Sequence, residues 1–66
     1  MQLLINGNAT DLPADLTARQ LVESLELAGK RIALEVNGEI LPRSSYAEHR
    51  LREGDKIEIV HAIGGG

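Results

Sequence analysis

Asn-Gly occurs twice in this chain, at Asn6-Gly7 and Asn37-Gly38, each time between two short apolar segments. A two-residue hairpin turn of type I′ requires positive φ at both central positions, and Asn followed by Gly meets that demand at low steric cost. Each dipeptide therefore predicts a pair of adjacent antiparallel strands. The first pair is expected near residues 1–5 and 8–12, the second near 31–36 and 39–41. Pro13 and Pro42 end the two return strands, because proline brings no N–H to a ladder.

Between the hairpins lies one well-marked helix. Thr17 with Gln20 three residues later forms a capping box, and Leu16 can pack on Leu21 as a hydrophobic staple. Ala18, Leu21, Val22 and Leu25 follow at i, i+3, i+4 and i+7, one face of a helix. Arg19, Glu23 and Glu26 lie mostly on the other side. Gly29 is expected to close the helix, with Lys30 and Arg31 near its negative end. The reading is a helix near 18–28.

After Pro42, residues 43–52 read as polar and irregular, with Ser44 or Ser45 capping one short turn through Tyr46 to His49. Glu53-Gly54-Asp55 is a turn. A last strand is expected at 56–62, with Ile57 and Ile59 facing the core and Lys56 and Glu58 facing solvent. The order is β-β-α-β-β-β. One helix can cover one face of so small a sheet. The fold class expected is α+β, a ubiquitin-like β-grasp in which a mixed sheet wraps around one helix. The domain is expected to span 1–63, followed by a flexible glycine tail at 64–66.

Sixty-six residues make one domain, and a chain of that size buries only about 60% of its unfolded surface. No cysteine is present, so disulfides, thiolate metal sites and a nucleophilic thiol are excluded. His49 and His61 lack a metal-ligand spacing, and no metal is expected. The core must come from aliphatic packing, since Tyr46 is the one aromatic residue. A net charge of −3 argues against nucleic acid as a partner, as does the lack of stacking aromatics. No apolar run approaches the roughly 20 residues of a membrane span, and no signal peptide is recognised, so the cytoplasm is the expected location.

The sequence closes on Gly64-Gly65-Gly66. Without Cβ atoms, three glycines can pass through a channel too narrow for ordinary side chains. Fully extended, they would carry a terminal carboxylate about 10 Å beyond Ile63. That suits a carboxylate handed to another protein's active site, although termini also fray without purpose.

Taken in order, Val36-Asn37-Gly38-Glu39-Ile40-Leu41-Pro42-Arg43, then Leu51-Arg52-Glu53-Gly54-Asp55-Lys56-Ile57-Glu58-Ile59, then the final Gly-Gly resemble the ThiS family, small sulfur carriers of thiamine biosynthesis. The resemblance extends over nearly the whole chain, the Asn6-Gly7 turn included. It implies that Gly66 is the reacting residue, with Gly64 and Gly65 entering partner active sites. A ThiF-like adenylyltransferase would adenylate the Gly66 carboxylate with ATP. A sulfur-donor protein would supply sulfur to form a thiocarboxylate, and a ThiG-like thiazole synthase would consume it. On that reading the chain is a substrate and shuttle, not an enzyme. It binds no cofactor of its own, and ATP is consumed by the partner.

The chemistry asks for no side chain from the carrier. A terminal carboxylate is ionised at neutral pH and can attack the α-phosphate of ATP, which turns it into an activated mixed anhydride. Without cysteine, sulfur could be held only at the terminus.

Docking to such partners is expected through Val60, Ala62 and Ile63, which lead into the tail, with Leu41 across the sheet as a weaker member. Ordinary edge packing is the alternative. Arg43, Arg50 and Arg52 read as a solvated face balanced by Glu48 and Glu53, and both histidines read as surface residues. Two other functions share the activated terminus: a MoaD-like carrier for molybdopterin synthesis and a ubiquitin-like protein modifier. A passive binding module with an incidental tail is the third.

Overall fold

The computed structural model describes residues 1–61. Strands β1 (Gln2–Ile5) and β2 (Asn8–Asp11) form the first hairpin, helix α1 (Ala18–Ser24) comes next, and β3 (Ile32–Val36) and β4 (Glu39–Leu41) form the second hairpin. A 3-10 turn at Arg43–Ser45 opens the crossing to β5 (Lys56–His61). The strand order is β2-β1-β5-β3-β4. β1 and β5 run parallel, and the other neighbours are antiparallel. This is the mixed, one-helix sheet of the β-grasp.

Both Asn-Gly turns form as the sequence requires. Asn6 and Gly7 have φ of 50° and 83°, and Asn37 and Gly38 have 53° and 85°. Positive φ at both central residues matches the right-handed twist of the flanking strands. The hairpins then fix the alternation. Leu3, Leu34, Ile57 and Ile59 are buried on the helix side of the sheet, together with Ala18, Leu21 and Val22 of α1.

The helix is shorter than its apolar spacing suggested. It ends at Ser24 rather than near 28, because the chain closes there in a Schellman motif. Glu26 takes the left-handed position at φ 60°, its N–H donates to Glu23 O, and the Leu27 N–H donates to Val22 O at 2.9 Å. Leu25 is left exposed, while Leu27 packs against the core instead. Gly29, read as the helix terminator, sits in the next turn, at φ 81°, which the Lys30 N–H closes onto Leu27 O. Lys30 and Arg31 therefore lie away from the helix end.

Seven residues make too short a helix to stand alone. Thr17 and Gln20 form the expected capping box: the Gln20 N–H donates to Thr17 Oγ1 at 3.1 Å and the Thr17 N–H to Gln20 Oε1 at 2.9 Å. The crossing supplies the remaining acceptors. The Ala18 N–H donates to His49 O and the Arg19 N–H to Tyr46 O. All three N–H groups before the first intrahelical bond are thus satisfied.

The crossing is also more deeply built in than its polar composition indicated. Tyr46 and Leu51 are core residues, at 8% and 3% exposure. No serine side chain caps the turn there; the Ser45 carbonyl accepts from the N–H groups of both Glu48 and His49. β3 begins at Ile32, one residue later than expected, and β2 ends at Asp11.

Candidate functional site

β5 is the central strand of the sheet, paired with β1 on one side and β3 on the other. It leads from the core toward the glycine tail. Ile57 and Ile59 are buried and Val60 is 52% exposed, which is the alternation expected from its sequence. Ala62, Ile63, Gly64, Gly65 and Gly66, all candidates on sequence grounds, lie outside the described residues, as does the boundary set at 63.

The last described part of β5 is held from both sides. On the β3 side, Ile32 pairs with His61 and Ala33 with Val60. On the other side β1 stops at Ile5, and Asn6 continues the contact. Its backbone N–H donates to Ile57 O at 2.9 Å, and its Oδ1 accepts from the Ile59 N–H at 2.8 Å. The start of β5 is fixed by a second asparagine: the Lys56 N–H donates to Asn37 Oδ1 at 2.9 Å, and Asn37 Nδ2 donates to Asp55 Oδ1 at 3.0 Å. The two hairpin turns thus anchor β5 through their side chains.

Register sorts the proposed docking residues onto two faces. Directly opposed residues of antiparallel strands share a face. Val60 opposes Ala33 on the outer face, away from the helix. Leu41 opposes the buried Leu34 and is packed against the core. The structure therefore does not bring Leu41 together with Val60. Ile40 takes its place: it opposes Glu35, faces outward, and is 71% exposed. The sequence carried that signal, since a two-residue turn at Asn37-Gly38 pairs Val36 with Glu39 and so fixes every later pair.

The basic residues spread over separate tasks. Arg50 approaches Asp15 at 3.7 Å in an exposed pair, and Arg43 Nη2 donates to Lys30 O at 3.3 Å. Glu53, expected to balance an arginine, accepts the Gln2 N–H on both carboxylate oxygens, at 3.0 and 3.1 Å. His49 contributes its carbonyl to the helix cap, and His61 is exposed at the end of β5. Among the described residues no three His, Asp or Glu side chains gather as a metal site, and no helix is long and apolar enough to cross a membrane.

The ThiS family sequence profile matches residues 3–66. The chain belongs to the ThiS family. It is 36% identical to the sulfur carrier protein ThiS of Escherichia coli over 66 residues, covering both chains in full. It is also 44% identical to a thiazole synthase of Paramagnetospirillum magneticum over 66 residues, and there it spans 20% of that protein's length. The crystal structure of the thiamine biosynthesis protein ThiS from Geobacter metallireducens superposes with a TM-score of 0.87 at 29% identity, with full coverage of both chains. In this ThiS-family chain, then, the described sheet and helix are the family's fold.

Proposed function

We propose that this chain is a sulfur carrier of thiamine biosynthesis, working in the cytoplasm as a protein substrate and shuttle, with the carboxylate of Gly66 as its reacting group. The observation that carries the reading is the end-to-end match to the Escherichia coli sulfur carrier, joined to a β5 that leaves the core through Val60 toward three glycines. In the proposed cycle, a carboxylate oxygen of Gly66 attacks the α-phosphate of ATP on a ThiF-like adenylyltransferase, and pyrophosphate leaves. Sulfur released by a donor protein at the sulfide level, as hydrosulfide, then attacks the acyl carbon and AMP leaves, so that a thiocarboxylate remains. A ThiG-like thiazole synthase takes that sulfur. The thiazole synthase match supports the last partnership, because a chain of this kind is continuous there with a protein of that name.

The carrier's own contribution is presentation. Residues 64–66 have no side chains to obstruct a narrow channel, and Val60 with Ala62 and Ile63 supplies the apolar contact beside them. The test is the intact mass of the protein from its native cells, with and without a thiol-alkylating reagent. A thiocarboxylate replaces one oxygen by sulfur and takes up the alkyl group. Oxidation of Met1 gives nearly the same mass change without that reactivity. An alkyl adduct at Gly66 is expected. A terminus that stays a plain carboxylate under thiamine limitation, with the partners expressed, overturns the reading.

A further inference from the structure

The two hairpin turns are also reactive dipeptides, and the fold treats them differently. In Asn-Gly the glycine nitrogen stands next to the asparagine side chain with no Cβ to shield it. After losing its proton to solvent base, that nitrogen can attack Cγ and close a five-membered succinimide. For an L-residue the ring holds ψ at about −120°, the value of the first central residue in a type II′ turn. Such a turn also needs positive φ there, and Asn6 and Asn37 already have 50° and 53°. Ring closure then requires the Asn-Gly peptide plane to turn over, from type I′ to type II′, and both types fit a hairpin. Both turns are exposed. Gly7 can follow because it takes either sign of φ, and beyond its chain neighbours no atom lies within 4 Å of where its Cβ would stand. The asparagine side chain must also swing onto the glycine nitrogen, and here the two sites part. Among the described residues Asn6 is held at one side-chain atom, its Oδ1, by the Ile59 N–H at 2.8 Å. Asn37 is held at both: Oδ1 accepts from the Lys56 N–H at 2.9 Å, and Nδ2 donates to the Asp55 carboxylate at 3.0 Å. A hydrogen bond to a carboxylate is stronger than a neutral one. Asp55 is itself fixed, since its other oxygen accepts from the Arg52 N–H at 2.8 Å. Its charge also opposes the negative charge that develops on the asparagine oxygen during attack.

We propose that Asn6 is a site of spontaneous deamidation in the folded protein, and that the fold protects Asn37, the same dipeptide, through Asp55. The step needs no reagent but water. The bond from the Gly7 nitrogen to Asn6 Cγ forms, the Cγ–Nδ2 bond breaks, and ammonia leaves with a proton taken from solvent. Water then opens the succinimide at one of its two carbonyls. Opening at Cγ gives aspartate on an ordinary main chain. Opening at the α-carbonyl gives isoaspartate, in which the main chain runs through Cβ. The aspartate form keeps an acceptor oxygen for the Ile59 N–H. The isoaspartate form does not: its free carboxylate sits directly on Cα, one carbon shorter than the asparagine side chain, and withdraws from that N–H. The main chain before Gly7 also gains a carbon, which spoils the two-residue turn. Modification at Asn6 thus unties β5 at Ile59, just before the strand leaves the core. At Asn37 the aspartate product would set a second carboxylate against Asp55, so the product is opposed there as well as the reaction. The inference is independent of the carrier reading, because it uses only the turns and the groups that hold them.

The experiment incubates the full chain at neutral pH in native buffer and in concentrated urea, and follows residues 6 and 37 by peptide mapping. A protease that cuts before aspartate but not before isoaspartate separates the two products. In urea the two sites are expected to react at similar rates, since the dipeptide is the same. In native buffer Asn6 is expected to react about tenfold faster than Asn37, the effect of one charge-assisted hydrogen bond lost at the barrier. Asp55→Asn is expected to raise the native rate at Asn37 and leave that at Asn6 unchanged. The isoaspartate form, separated by ion exchange, should show faster amide hydrogen exchange at Ile59 than the parent. Equal native rates at the two sites overturn the proposal, as does a faster rate at Asn37. So does a native chain that resists at both sites while the unfolded chain reacts. An Asn37 rate unchanged in the Asp55→Asn variant removes Asp55 from it, and unchanged exchange at Ile59 removes the effect on β5. The native comparison within the parent chain decides the main point even if that variant unfolds.

Discussion

The side chain of Asn6 accepts a hydrogen bond from the backbone N–H of Ile59 at 2.8 Å, across 53 residues of sequence. It does so at the point where β1 has ended and β5 still needs an acceptor. The same residue sits at φ 50° in the hairpin turn, a conformation that asparagine tolerates better than most residues. One residue therefore closes the turn and finishes the parallel ladder.

Replacing Asn6 separates those two roles. Asn6→Ala leaves a partly buried N–H without its acceptor, which costs about 1–3 kcal/mol, and places alanine at positive φ. A fall in melting temperature on the order of 10 °C is expected for a domain this small. Asn6→Asp keeps an acceptor oxygen and the turn preference, and should stay near the parent value. Amide hydrogen exchange checks the cause: exchange at Ile59 should accelerate in the alanine variant more than at Leu34. Uniform acceleration at both would mean a general loss of stability rather than a loosened β5.

Leu51 gives a prediction that the composition of its segment conceals. It is 3% exposed, within the same cluster as Leu21 and Ile57, although its neighbours are charged. Leu51→Ala should cost about 2–5 kcal/mol, against a total stability of roughly 3–10 kcal/mol for a chain of this length. Urea titration is the measurement, and the variant should unfold at a much lower midpoint with an unchanged slope. A midpoint within experimental error of the parent would show that the crossing is not part of the core.

Thr17→Ala removes one half of the capping box and leaves the Gln20 N–H without its side-chain acceptor. The expected loss is about 1 kcal/mol, seen as a drop in melting temperature of about 4–8 °C. Thr17→Ser should recover most of it, because the hydroxyl is what the N–H requires. A serine variant as unstable as alanine would place the value of this residue in the packing of its methyl group.

How much of the fold is legible in the sequence depends on how local each determinant is. The turns at Asn6-Gly7 and Asn37-Gly38 are fixed by two adjacent residues, and the capping box at Thr17 by four, so both can be read directly. The alternation in β5 needs only the apolar Ile57 and Ile59 set between the charged Lys56 and Glu58. The end of α1 escapes such a reading because Leu25 fits the helical period, yet burial of Leu27 competes for the same core and wins by closing the helix at Glu26. Tyr46 and Leu51 are hidden because their segment is ordered by contacts across the fold, where it meets the N–H groups of Ala18 and Arg19. The placing of the proposed docking residues is half legible: Val60 points outward as its alternation implies, whereas Leu41 requires the parity of the second hairpin, which assigns the outer position to Ile40.

Val60 and the terminal glycines together test whether presentation of the tail is what β5 is for. Val60 is half exposed on the outer face, so Val60→Lys costs the core little, and the melting temperature should change by only a few degrees. Adenylation should suffer far more, since a lysine there replaces the apolar contact proposed beside the tail with a charge. Deleting Gly66 should abolish thiocarboxylate formation altogether while leaving the melting temperature unchanged, because glycine brings no side chain to a core that, among the described residues, runs from Leu3 to Ile59. The two variants divide the process: the first should still react at high carrier concentration, and the second should not react at any. Pyrophosphate exchange together with intact-mass analysis distinguishes them. A Gly66 deletion that still accepts sulfur would remove the terminus from the mechanism, and a Val60→Lys variant activated as well as the parent would remove the outer face from it.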